Sequence, residues 1–141
     1  MIKFDKLKII TNINNIKKND ETVFEIISKE GIISEYKYSR KTPSELLIKM
    51  DIQRRELVIE FTGKILNENY PQLINKDSIR KCFENINTLG LCELNIDSIL
   101  SDSTVVKADV TKDVTCDNIK QLTTQLKTNI RNYSKYVCRN I

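Results

Sequence analysis

Apolar and polar positions alternate with a period of two over most of the first half of the chain, and recur at spacings of three and four in the second half. The first pattern predicts strands over Phe4–Ile10, Thr22–Ser28, Ile32–Tyr38, Leu46–Ile52 and Glu56–Thr62. Lys29, Glu30 and Gly31 separate the second and third of these, and glycine can take the left-handed backbone of a tight connection, so the pair reads as a hairpin. Leu46–Ile52 and Glu56–Thr62 form a second hairpin around Gln53, Arg54 and Arg55, after a break at Lys41-Thr42-Pro43-Ser44. The polar stretch Asn12–Asp20 can bury little and reads as a loop or a short helical turn.

After Gly63 the pattern changes. "NENYPQLINKDS" is loop-like, and Asp77 or Ser78 is placed to cap a helix running to about Leu89 and closed by Gly90. Ile79, Cys82, Phe83 and Ile86 give that helix its apolar stripe. A short turn or helix follows near Ile96–Leu100, then a strand over Thr104–Thr115. Asp117 caps a longer helix in which Ile119, Leu122, Leu126, Ile130, Tyr133 and Val137 recur at helical spacing. The expected fold is α+β: a mainly antiparallel sheet of about five strands built from hairpins, with two main helices packed on one face.

Length supports one domain, since 141 residues with 40% hydrophobic and 30% charged side chains suffice for a single core. No internal repeat or linker divides it. Cys82, Cys92, Cys116 and Cys138 form no C-x-x-C pair, and there is no secretory leader or long apolar run. A reduced, cytoplasmic protein without a membrane span is expected, its cysteines acting as small buried apolar groups. With no histidine in the chain, zinc sites and Ser-His-Asp or Cys-His catalysis are set aside. The isolated Gly31, Gly63 and Gly90 make no phosphate-binding loop.

Charge separates the chain more than its net of +4 suggests. Residues 118–141 carry five of the 23 basic side chains and none of the 19 acids. On the predicted last helix Lys120, Lys127, Arg131, Lys135 and Arg139 make a stripe beside the apolar face, an edge about 28 Å long at the helical rise. Such a stripe can follow a phosphate backbone, or simply keep a helix soluble. Tyr133 falls on the apolar stripe and reads as core; Tyr136 lies nearer the polar side, with nothing to activate it.

The strand "TVVKADVTKDVT" at 104–115 carries the candidate chemistry. Strict alternation sends Val105, Lys107, Asp109, Thr111 and Asp113 to one face and Val106, Ala108, Val110 and Val114 to the core. Asp109 and Asp113 are then about 13 Å apart, too far to grip one ion together. Glu60, on the polar face of the 56–62 strand, could join Asp109 in an oxygen-only site for magnesium or manganese. The competing reading makes these acids solvent-facing residues paired with lysines.

Two stretches, "ELVIEFTGKILNENYPQLINKDSIRKCFENINTLGL" and "VVKADVTKDVT", together resemble the N-terminal half of phage and plasmid replication initiation proteins of the rolling-circle type. In that family a strand of the form Arg-x-Asp-x-x-x-Asp lies in the central sheet near the active site, followed by a helix. The resemblance covers about residues 50–140. It puts Lys107 in the arginine position, Asp109 and Asp113 in the two acidic positions, and Glu60 in an acidic position of the earlier strand. It implies binding of origin DNA and strand nicking by a tyrosine with a divalent metal, and makes Asp109, Asp113 and Glu60 catalytic candidates. The histidine pair used by many relatives in the wider superfamily has no counterpart here. The nucleophilic tyrosine segment is expected past Ile141, which makes the chain an N-terminal portion, inactive alone. The alternative is a non-catalytic α+β module that binds nucleic acid or protein.

Overall fold

The computed structural model describes residues 3–18 and 20–110. Strands β1 (Phe4–Asn12), β2 (Ile16–Lys18), β3 (Glu25–Lys29), β4 (Ile32–Arg40), β5 (Leu46–Asp51) and β6 (Glu56–Thr62) come first. After a 3-10 segment over Gly63–Gln72 follow helix α1 (Ile79–Thr88), strand β7 (Cys92–Leu94), helix α2 (Ile96–Asp102) and strand β8 (Thr104–Val110). Six strands form one antiparallel sheet in the order β3-β4-β5-β6-β1-β8, and β2 pairs with β7 in a small second sheet. The class is α+β, as expected.

Both expected hairpins form. At the first, Glu30 and Gly31 alone make the turn, both at positive φ (54° and 78°), and Lys29 already pairs with Ile32. That two-residue geometry suits the twist of the flanking strands, and glycine accommodates its second position without strain.

Alternation along β5 and β6 builds the core. Ile48, Leu57, Ile59 and Phe61 are fully enclosed, with Leu7 and Ile9 of β1 beside them. The α1 stripe of Ile79, Cys82, Phe83 and Ile86 packs on this face, with the Phe83 ring set edge-on to Phe61 at 5.6 Å between centroids. Each large side chain so buried contributes about 1.5–3 kcal/mol. Ile99 and Leu100 of α2 meet Leu7, Ile79 and Phe83 around a small apolar void, so both described helices lie on one face. The helix expected after Asp117 lies outside the described residues.

The start of α1 differs from the sequence reading. Ser78 precedes the helix but its hydroxyl donates to the Leu73 carbonyl at 2.6 Å and accepts from the Asn75 amide at 2.9 Å, so it caps no helix N–H. Asn75 instead builds the turn that leads into the helix: its side-chain oxygen accepts from the Asp77 and Ser78 amides, and its backbone carbonyl accepts from Ile79. Gly90, at φ 78°, follows the last turn as predicted.

β8 also departs from strict alternation. Ile9 faces Val105 and Lys8 faces Lys107, which leaves Val106 as an extra residue on β8. This bulge puts Val105 and Ala108 together in the core, whereas alternation had assigned Val105 to the polar face and Val106 to the core. A second irregularity, at Asp5 on β1, keeps Phe4 and Leu7 both buried.

Candidate functional site

With the helices on one face, the other face of the sheet is laid out by register. Its rows run Glu35, Asp51, Glu56, Asn12; then Lys37, Lys49, Val58, Ile10, Thr104; then Ser39, Leu47, Glu60, Lys8, Lys107; then Thr62, Lys6, Asp109. α1 and α2 pack on the opposite face, while the 3-10 segment Gly63–Gln72 reaches this one at Thr62, whose hydroxyl accepts from the Lys64 amide at 3.4 Å. Acids crowd the end near the β5–β6 turn, and lysines occupy the middle. Lys49 bridges to Glu35 at 3.1 Å. Lys8 and Lys107 stand directly opposite one another, and among the described residues neither makes an ion pair. Like charges across a strand pair oppose each other unless an anion comes between them.

Asp109 belongs to the last of these rows, exposed and opposite Lys6, whose ammonium lies 3.8 Å from Glu45. Exposed as it is, this acid bears no burial strain. Beside it runs a polar groove lined by Asp5, Lys41, Glu45, Thr62, Lys64 and Tyr70. The Tyr70 hydroxyl donates to Asp5 at 3.3 Å, and the carboxylate's charge, more than burial or the hydrogen bond itself, raises the phenol above its ordinary pKa. Tyr70 is thereby held as the neutral phenol, a hydrogen-bonding group and not an activated nucleophile.

Glu60 and Asp109 share this face but are not neighbours. β1 runs between β6 and β8, so Glu60 faces Lys8 while Asp109 faces Lys6 one row on. Two strand spacings alone put them about 10 Å apart, with lysines between. The pair does not fit a single magnesium or manganese ion, and no cluster of three or more acid or cysteine side chains suited to a metal occurs among the described residues. Asp113, Lys120, Lys127, Arg131, Lys135 and Arg139 lie outside the described residues.

Cys82 and Cys92 are buried free thiols, raised by desolvation to pKa about 12 and about 11. They are inert core groups, as the sequence reading had it for these two.

Sequence reasoning passed over Lys8, Asp5 and Tyr70. Lys8 gains its meaning only from the pairing of the N-terminal strand with β8, nearly a hundred residues away, and Asp5 meets Tyr70 across 65 residues. No local signal marks either contact. No helix among the described residues is long and apolar enough to cross a membrane. No family model, no curated protein and no solved structure matches the chain.

Proposed function

We propose that the chain is the N-terminal portion of a rolling-circle replication initiator of a phage or plasmid, acting in the cytoplasm, and that it presents origin DNA to a tyrosine elsewhere in the protein. The observation that carries the reading is the Lys8–Lys107 pair, which makes no ion pair among the described residues although Glu60 stands opposite Lys8 on β6, and which lies one row from Asp109 on the face away from α1 and α2. Two ammonium groups held side by side favour a bridging phosphate, and the resemblance puts the strand bearing Lys107 and Asp109 beside the active site. In this reading the lysines grip the backbone, the basic residues at 120–139 extend the contact, and Asp109 bears on the scissile phosphate. Glu60, on the far side of β1 and opposite Lys8, takes no part in the chemistry.

The separation of Glu60 from Asp109 favours a second reading, a non-catalytic nucleic-acid-binding module. The two are told apart by incubating the full-length protein with supercoiled plasmid carrying its own origin. Binding with strand nicking that is lost in Asp109→Asn supports the initiator. Binding by the full-length protein without nicking, in magnesium or manganese buffers alike, supports the module.

A further inference from the structure

The far edge of the large sheet is β3, which pairs with β4 on one side and has no second neighbour among the described residues. Its hairpin carries more exposed apolar surface than any other described part of the chain: Ile32 is 68% exposed, Ile26 54% and Ile33 39%. A bare strand edge flanked by isoleucines invites pairing with another strand.

The sequence of that edge, Glu25-Ile26-Ile27-Ser28-Lys29, is complementary to itself when run antiparallel. With Ile27 on the two-fold axis, Ile27 meets its own copy, Ile26 meets Ser28, and Glu25 meets Lys29 twice. The backbone is set for this register. The Ser34 hydroxyl donates to the Ile27 carbonyl at 3.1 Å, so Ile27 turns its peptide groups toward β4, and alternation leaves those of Ile26 and Ser28 facing the open edge. Side chains fit as well. On the helix side of the sheet Ile26 lies beside Tyr36 and Ser28 beside Ile33, so each copy's Ile26 would sit next to the small Ser28 of the other, with Ile33 just beyond. On the opposite side Lys37 flanks Glu25 from within the same chain, and Lys29 of the second copy would flank it from across the edge.

We propose that two copies of this chain associate through antiparallel β3–β3 pairing centred on Ile27, joining their six-stranded sheets into one. The contact is isologous, so it closes at two copies and leaves no further β3 edge for growth. This inference does not depend on the proposed function: the paired edge lies at the opposite end of the strand order from Lys8, Lys107 and Asp109.

The test is sedimentation equilibrium of the full chain and of charge variants at β3, with circular dichroism confirming that each folds. The wild type should show a monomer–dimer equilibrium. Glu25→Lys and Lys29→Glu each place two like-charged pairs across the axis and should weaken the dimer about tenfold or more. An equimolar mixture of the two variants should form heterodimers at wild-type strength, since every cross-edge pair is again opposite in sign, and the double variant Glu25→Lys/Lys29→Glu should recover homodimers. A wild type monomeric at all concentrations overturns the proposal. So does a dimer that the single changes leave intact, or one that neither mixing nor the double swap restores.

Discussion

Lys8 and Lys107 face each other across the β1–β8 pair, and neither makes an ion pair among the described residues, although Glu60 stands opposite Lys8 on the β6 side. The like-charged pair costs the sheet a little, offset in part on the Lys8 side by Glu60, and gains when an anion binds between the two ammonium groups. Replacing either lysine by glutamine should therefore leave stability unchanged or raise it by up to about 0.5 kcal/mol, while weakening DNA binding. Each change should lower the slope of log affinity against log salt by about 0.7–0.9. Thermal unfolding and a salt titration of fluorescence anisotropy measure the two effects; an unchanged slope in both variants removes these lysines from any DNA interface.

Asp109 and Glu60 make a second contrast. Both lie on the face away from α1 and α2 and neither takes part in an ion pair among the described residues, so changing either to its amide should move stability by no more than about 0.5 kcal/mol. On the proposed initiator reading their functional effects should differ, because β1 holds them apart: Asp109→Asn should abolish origin nicking by the full-length protein with DNA binding retained, whereas Glu60→Gln should nick at a rate close to wild type. Loss of nicking in both would mean that one site spans β1 after all.

How far the sequence could be read follows from the range of the interactions. The hairpins, α1 and α2 were legible because turn residues, periodicity and a closing glycine are local signals, and Ile79, Cys82, Phe83 and Ile86 all reach the core they were assigned to. The insertion of β1 between β6 and β8 was not legible, since nothing near Phe4–Asn12 specifies a partner a hundred residues on. That single non-local choice decides the candidate site: it parts Glu60 from Asp109 and brings Lys8 to Lys107. The β8 faces were misassigned for a smaller reason, one extra residue at Val106 that shifts parity midway. β2 and β7, three residues each, were missed because strands so short show no period at all.

Phe83 joins α1 to the sheet through its edge-on contact with Phe61, and both rings are essentially inaccessible. Phe83→Ala should cost about 3–5 kcal/mol, the transfer loss plus a cavity, and Phe83→Leu distinctly less. Urea denaturation of the two variants gives the comparison. A cost below about 1 kcal/mol for the alanine change would show that α1 contributes little to the core.

The last prediction concerns pH. Burial raises Cys82 from 9.0 to about 12 and Cys92 from 9.0 to about 11, because the thiolate would lose its hydration among Leu, Ile and Phe side chains. Between the unfolded and folded values the native state holds more protons than the unfolded chain, so the slope of stability with pH is negative there. The contribution of the two thiols is thus fully present below pH 9 and is lost as pH rises, through about 11 for Cys92 and about 12 for Cys82. Urea midpoints measured from pH 8 upward should fall accordingly, and Cys82→Ala should fall less steeply than wild type over the same range, even though it starts lower for the cavity it leaves. At pH 8 both thiols should resist a disulfide reagent until the protein unfolds. Rapid labelling of Cys82 in the folded protein, or a Cys82→Ala profile parallel to the wild type's, would place that thiol in contact with solvent and end the argument for an inert core cysteine.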